Sequence, residues 1–374
     1  MSSKYGAPQP YYPPDWAKEL SVIPKTRIKL AQLPTPIHSW SVPGLPDGFQ
    51  LYIKRDDLTG STLSGNKVRK LEFIFSEALD QGCDTVITGG GLQSNHTRAT
   101  AVVAKELGLS SLNILYLPPE KTHESSLSSK EKGNLLLSCM VGATSETVPF
   151  LAAETRFKQM EEYMKATSDR LIVKGHLPCI VELGGANPTG AWGYIEAFQE
   201  MIDQGILENF DDIVMCAGTG GTALGIGLAS YLTGSKLKVH AVCTKAPSTV
   251  VATNINKELS KIKKEGMDNH LQCSDIVDLI DLHTDTSIKK EDLDFLTQVS
   301  TKTGIILDTT FTLKTVICML HEMKYNPERF RGQRILFMHT GGLFGLCDGQ
   351  LDPVLVQTPD TNRIRSIHEF IDVV

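Results

Sequence analysis

Lys67 stands in Ser64-Gly65-Asn66-Lys67-Val68-Arg69-Lys70-Leu71, between a strand-like Leu51-Tyr52-Ile53-Lys54 and an amphipathic helical run. A lysine in the first turn of a helix meets the positive end of the helix dipole, and partial burial adds to the pressure against its ammonium form. The neutral amine that results can attack an aldehyde. As one of 37 Lys and Arg residues it reads equally well as a solvated charge, and this motif alone leaves the two readings even.

Two glycine-rich strand-to-helix junctions shift that balance. Gly218-Thr219-Gly220-Gly221-Thr222 follows the apolar strand Asp212 to Ala217 and opens a helix over Ala223 to Tyr231. The backbone N–H groups of such a turn, together with the helix dipole, form an anion site suited to a phosphate. The string also fits G-x-G-x-x-A, but dinucleotide binding needs an acidic residue at the end of the next strand, which here ends Cys243-Thr244-Lys245. A compact phosphate cup is therefore preferred to NAD, with a plain tight turn as the bland alternative. The other junction, Thr88-Gly89-Gly90-Gly91-Leu92-Gln93-Ser94-Asn95-His96, lets a ligand approach bare backbone. Ser94 and Asn95 supply donors that suit a carboxylate, although they would cap a helix in any case. His96 and His339 also read as satisfied core histidines, and no histidine spacing supports a metal. Gly60 to Lys67 nearly matches a nucleotide P-loop, yet Asn66 stands where that motif's lysine belongs, so a kinase reading fails.

The elements that must position these residues alternate strand and helix: Asp84 to Thr88 then Thr97 to Leu107, Leu112 to Leu117 then Lys130 to Val141, Cys179 to Leu183 then Gly190 to Gln204. Asp212 to Ala217 then Gly221 to Leu232, and Lys238 to Cys243, continue the series, and Gln333 to His339 is a further apolar strand. Such alternation means parallel sheets, which bind ligands at the carboxyl ends of their strands. The first 50 residues are broken by prolines and are expected to wrap over a surface. Glu258 to Asn269 is charge-rich and expected to be a solvated helix or loop.

At 374 residues the chain calls for roughly two domains. Its 41% hydrophobic and 21% charged residues describe an α/β enzyme, and no run approaches a membrane span. A formal charge of −6 without a basic stripe argues against nucleic acid as a partner. Eight cysteines without a C-x-x-C pair read as reduced thiols. Met1 to Pro14 lacks the features of a signal or transit peptide, so a cytoplasmic location is expected.

A reactive lysine at a helix start, a Ser-Asn carboxylate turn and a Gly-Thr-Gly-Gly-Thr phosphate cup together describe a pyridoxal 5′-phosphate site. They occur in the order used by the tryptophan synthase β-like fold. The sequence closely resembles the D-cysteine desulfhydrase and 1-aminocyclopropane-1-carboxylate deaminase family over about residues 25 to 350. The resemblance is carried by Lys54-Arg55-Asp56-Asp57-Leu58, Ser64 to Phe73, Gln93-Ser94-Asn95-His96-Thr97-Arg98, Gly184-Gly185-Ala186-Asn187-Pro188, Gly218 to Thr222 and His339-Thr340-Gly341-Gly342.

The resemblance implies that Lys67 forms the Schiff base with the cofactor, that Asn95 hydrogen-bonds its ring hydroxyl, and that Gly218, Thr219, Gly220, Gly221 and Thr222 bind its phosphate. It places Thr312 at the pyridine nitrogen, and Ser94, Asn95, His96, Phe311 and Thr340 around the substrate, with Lys67 and Ser94 as the catalytic pair. A threonine hydroxyl supports a protonated pyridine only weakly, which suits elimination of a good leaving group. Ring-opening deaminases of the family resemble one another in having glutamate and leucine where this chain has Thr312 and Thr340, as the desulfhydrase branch does. One departure is Phe311, where the family's tyrosine has lost its hydroxyl, which bears on acid-base chemistry.

The implied architecture is a two-domain α/β enzyme of open twisted parallel sheets, the tryptophan synthase β-like or type II fold. Residues 1–70 and 179–374 are expected to form the larger domain and 71–178 a smaller inserted one. The expected reaction is α,β-elimination from D-cysteine, giving pyruvate, ammonia and hydrogen sulfide, by a homodimer with no nucleic-acid or membrane partner and no metal. Rival readings are the cyclopropane deaminase, a serine-type dehydratase, and a cofactor-binding regulatory protein with little turnover.

Overall fold

The computed structural model describes residues 6–119, 132–263, 270–283, 287–349 and 351. Gln9–Pro10 (β1) and Thr26–Arg27 (β2) pair antiparallel at the start of the chain. Ile37–Ser39 (β3) and Gln50–Lys54 (β4) then form an antiparallel pair at one edge of a large sheet. The chain next lays down a separate sheet from Thr85–Gly91 (β5), Ser110–Tyr116 (β6), Thr144–Val148 (β7) and Pro178–Val181 (β8). It returns to the first sheet with Asp212–Ala217 (β9), Lys238–Cys243 (β10), Asp278–Asp281 (β11) and Arg334–Met338 (β12). The large sheet has the order β11-β10-β9-β12-β4-β3 and the small one β7-β6-β5-β8, and every pairing except β3 with β4 is parallel.

Parallel strands covered on both faces must be apolar throughout, and β9 is buried at every residue. The helix Pro188–Asp203 covers one face with Trp192, Tyr194 and Phe198, all fully buried. Against it packs the helix Lys67–Asp80, which a buried polar network also pins. Arg69 donates to Asp56 at 2.8 Å and to Glu200 at 3.0 Å, and the Tyr194 hydroxyl donates to Asp56 Oδ2 at 2.8 Å. Removing one partner of such a buried pair costs about 3–5 kcal/mol, because the other charge is left uncompensated. Asp56 and Arg69 therefore hold the scaffold that aims Lys67.

Several expectations change. The first 50 residues do more than wrap: Ile28, Leu30 and Trp40 are buried in the hydrophobic cores. The last strand of the second sheet, β8, begins at Pro178, beside the boundary expected there, and ends at Val181. The charge-rich stretch begins as the last turns of the helix Ser248–Ile262, where Glu258, Leu259 and Ile262 are buried, while 264–269 lie outside the described residues. The helix expected from Lys130 starts at Gly133, and residues 130 and 131 lie outside the description. No helix among the described residues is long and apolar enough to cross a membrane.

Candidate active site

The carboxyl ends of β5, β6, β9, β10 and β12 open onto one cavity of about 780 Å³. Its wall contains Lys67, Ser94, Asn95, His96, Gly218 to Thr222, Phe311 and Thr340, so residues from both sheets meet there.

Lys67 is the first residue of its helix. Gly65, at φ +95°, sets up that start: a Cβ there would lie 2.9 Å from Thr340 O, and the left-handed backbone favours glycine. Asn66 N donates to Thr340 O at 3.0 Å, and Asn66 Nδ2 donates to Thr222 Oγ1 at 3.0 Å. The turn carrying the lysine is thus tied to the end of β12 and to the phosphate cup. The residue is half-buried, and burial of its amine pushes the pKa down to about 8. An aldehyde should accordingly react with the apo-protein at a rate that rises with pH, with a midpoint near 8, because only the neutral amine attacks. Pyridoxal phosphate incorporation followed from about pH 6.5 to 10.5 measures this, and a midpoint above about 10 would mean a solvated lysine.

The turn Gly218 to Thr222 has the features that an anion site needs. The helix Gly221–Leu232 has no acidic residue in its first turn, and Leu224 N is bonded to Gly220 O at 2.8 Å, so the amides before it have no partner within the helix. Lys70, one turn after Lys67, is fully buried with Nζ 3.2 Å from Gly184 O. A Cβ on Gly221 would lie 2.8 Å from that Nζ, so the cation stands at the mouth of the cup. Burial first, and then the charge of Lys67, hold its pKa well below the ordinary lysine value, a penalty a bound phosphate would relieve. Motif reading missed Lys70, although its i+3 spacing from Lys67 was the available signal.

On the opposite wall Ser94 caps the helix Asn95–Glu106, its Oγ accepting from His96 N and Thr97 N at 3.2 Å. The capping reading is therefore true of Ser94, whose hydroxyl proton stays available to a ligand. Thr88 donates to Val181 O at 2.8 Å, so the 2.9 Å contact between Thr88 Oγ1 and His96 Nε2 has the imidazole as donor. Burial keeps His96 neutral, and its Nδ1 is left as an acceptor. His339 is a satisfied core histidine, with Nε2 at 3.0 Å from Ile306 O and Nδ1 accepting from Gly341 N at 3.1 Å. Thr340 Oγ1 lies 3.0 Å from Cys216 Sγ, and burial pushes that thiol up to about 11.

Thr312 does not join the others. It is fully buried and absent from the cavity wall; its hydroxyl donates to Asp308 Oδ1 at 2.7 Å and accepts from Asp308 N at 2.7 Å. The Asp308 carboxylate also accepts from the backbone N–H groups of Thr310, Phe311 and Thr312, and so closes the start of the helix Thr312–Tyr325. From this stretch Thr310 and Phe311 reach the cavity wall, and the Phe311 ring leans toward Gly218.

The residues present fit pyridoxal phosphate. Asn95 Oδ1, His96 Nδ1 and Thr244 Oγ1 are buried, lack hydrogen-bond partners among the described residues and all belong to residues of this cavity. Each costs about 1–3 kcal/mol unless a ligand satisfies it, and they stand with an amine for an aldehyde and a cup for a phosphate. Comparison with known proteins agrees. Residues 28–341 match the model of the pyridoxal-phosphate dependent enzyme family. The chain is 40% identical over 355 residues, 91% of its length and 84% of the relative's, to a mitochondrial bifunctional D-cysteine desulfhydrase/1-aminocyclopropane-1-carboxylate deaminase of Arabidopsis thaliana. It is 31% identical to a D-cysteine desulfhydrase of Serratia proteamaculans, covering 84% of this chain and 95% of that one. The crystal structure of an ACC deaminase homologue superimposes with a TM-score of 0.75 at 29% identity, over 92% of this chain and 99% of that one. The architecture is the tryptophan synthase β-like, type II fold. With 40% identity over nine-tenths of its length and a family match from residue 28 to 341, the chain belongs to the pyridoxal-phosphate dependent enzymes, in the D-cysteine desulfhydrase and 1-aminocyclopropane-1-carboxylate deaminase family.

Proposed function

We propose that the protein is a carbon-sulfur lyase that eliminates the β-substituent of a small amino acid, with D-cysteine the leading substrate and pyruvate, ammonia and hydrogen sulfide the products. The observation that carries this reading is an amine of lowered pKa, Lys67, without a hydrogen-bond partner among the described residues, in one cavity with the glycine turn Gly218 to Thr222 and the start of the helix Asn95–Glu106. Pyridoxal phosphate, when bound, supplies the sink for the electron pair left at the substrate's α-carbon. Lys67 anchors the cofactor and, once released, takes the α-proton on Nζ. Gly218 to Thr222 hold the phosphate through backbone N–H groups, and Lys70 neutralises it. Asn95 orients the ring, while Ser94 and the N-terminus of the helix Asn95–Glu106 hold the substrate carboxylate. His96 Nδ1 and Thr340 Oγ1 complete the substrate side.

The names of the Arabidopsis and Serratia relatives support the desulfhydrase, and the first of them keeps the cyclopropane deaminase as a second activity to test. A larger domain of residues 1–70 and 179–374, an inserted domain of 71–178, a homodimer and a cytoplasmic location complete the proposal. The mitochondrial relative makes the location an open comparison for imaging of the tagged protein.

A screen of D- and L-amino acids for pyruvate release tests the reading, with hydrogen sulfide expected from D-cysteine. If no amino acid releases pyruvate from the holoenzyme, the lyase proposal fails. The same assay settles Phe311. A tyrosine hydroxyl there would add an acid-base group, worth up to about 10²-fold. An unpaired hydroxyl would instead cost about 1–3 kcal/mol. Phe311→Tyr is expected to raise D-cysteine turnover; a slower variant would make Phe311 a specificity residue.

A further inference from the structure

Six basic side chains line the cavity, Lys67, Lys70, Lys132, Arg156, Lys245 and Lys314, against one carboxylate, Asp348. The whole protein carries a formal charge of −6, so this is local placement and not bulk composition. In the proposed reaction Lys67 and Lys70 serve the cofactor's aldehyde and phosphate, and a helix N-terminus serves the substrate carboxylate. Of the other four, Lys132 stands beside the Ser94 turn, its carbonyl accepting from Gln93 Nε2 at 2.9 Å; Arg156, Lys245 and Lys314 come from different parts of the chain.

Arg156 reaches in from the helix Ala153–Val173 beside the small sheet. Its Nε and Nη2 are held by Leu151 O at 3.2 and 3.0 Å, and its guanidinium lies 4.7 Å from the Tyr116 ring centroid, which fixes its orientation. Lys245 follows β10 at the cavity rim, and its ammonium makes no hydrogen bond or ion pair among the described residues. Beside it Thr244, nearly fully buried, turns an unpartnered hydroxyl to the same cavity. Lys314 lies in the first turn of the helix Thr312–Tyr325, and Arg156 in the first turn of its own helix. Both cations thus oppose the positive end of a helix dipole, a placement that local preference alone disfavours. Enclosure, then the neighbouring charge of Lys314, holds the Lys245 ammonium below its ordinary pKa against the opposing pull of the Asp308 carboxylate, with Arg156 adding a smaller push downward. Converging cations that repel one another call for an anion between them.

We propose that Arg156, Lys245, Lys314 and the Thr244 hydroxyl form a subsite for the substrate's β-substituent, so that the enzyme takes small amino acids whose leaving group is itself an oxyanion such as phosphate. This rests on the lyase reading above and names its substrate class. For O-phospho-D-serine the Cα–H and Cβ–O bonds break: the proton goes to Lys67 Nζ and the C–H electron pair becomes the Cα=Cβ bond. The C–O electron pair leaves with the phosphate. The enamine released takes up one water, giving pyruvate and ammonia. The three cations would hold the leaving phosphate, and with D-cysteine the departing sulfide.

The test compares kcat/KM for O-phospho-D-serine, D-serine and D-cysteine in the holoenzyme and in Lys245→Met, Lys245→Arg and Lys314→Met. It also measures the dissociation constant of D-2-amino-3-phosphonopropionate, which cannot eliminate, by calorimetry. The phosphorylated substrate should exceed D-serine in the natural protein. Lys245→Met should lower kcat/KM for the phosphorylated substrate about ten- to a hundredfold more than for D-serine and weaken the phosphonate to a similar degree, as loss of a charged contact predicts, with Lys245→Arg restoring both. Turnover of D-cysteine with D-serine preferred to its phosphate ester, or phosphonate binding unmoved by Lys245→Met, would overturn the subsite while leaving the lyase standing. No pyruvate from any substrate would overturn the lyase reading, and the phosphonate titration would then decide the subsite alone.

Discussion

Replacing Lys67 by alanine is expected to abolish borohydride-reducible attachment of pyridoxal phosphate and to lower pyruvate release at least about 10³-fold, since the proposed reaction uses one residue as both anchor and base. The fold should survive. Lys67 begins a helix, alanine is a good helix former, and the amine makes no hydrogen bond or ion pair among the described residues. A lysine whose pKa is pressed down to about 8 by burial is held charged only at a cost, so the apo variant should melt no lower than the natural apo-protein. Peptide mapping after reduction identifies the labelled residue. Label on Lys70, three positions on in the same helix, would exchange the two roles, because both amines reach the cavity.

That exchange is the kind of question motif spacing leaves open. The strand-to-helix turn proposed as the phosphate cup is legible because β9 is a continuous apolar run ending in glycines, and a parallel strand buried on both faces has few other ways to read. Lys67 was legible for its position, at the turn from strand to helix. Lys70 was not, because its burial against Gly184 and Gly221 depends on a contact between distant segments of the chain. Thr312 shows the opposite case. Its match to a family position is read from the motif, whereas the bond that its hydroxyl makes to the Asp308 carboxylate at the start of a helix is a local competition that a motif does not display.

The helix Ala153–Val173, which delivers Arg156, carries a thin stripe: Phe157, Met160, Met164 and Leu171 pack beside the second sheet at helical spacing, while the buried Thr167 and Ser168 dilute the pattern. The opening segment was expected to be irregular and is so for most of its length. Yet the short β3 and the buried Ile28, Leu30 and Trp40 come from that segment, because single residues can fill a core without a repeating pattern.

Gly218→Asp is expected to raise the dissociation constant of pyridoxal phosphate by about 30-fold or more while leaving the apo fold nearly unchanged. The choice of glycine matters. Gly220 lies in the middle of the turn, but its φ is +88° and an added Cβ would fall 2.6 Å from Ile255 Cγ1, so substitution there strains backbone and core together. At Gly218 an added Cβ meets only Phe311 Cε1, at 3.3 Å, and a ring edge at a cavity wall can give way by a few tenths of an ångström. What changes is charge. Two unit charges about 4 Å apart repel by about 4 kcal/mol at the effective dielectric of a partly solvated site, and half of that weakens binding about 30-fold. Gly218→Asn keeps the volume without the charge and should lose far less affinity, which separates repulsion from crowding. Titration of each apo-protein with cofactor, beside its melting temperature, makes the comparison. Equal affinity of the natural and Asp proteins would remove the phosphate from this turn, and Lys70 with it, because the two claims share one anion.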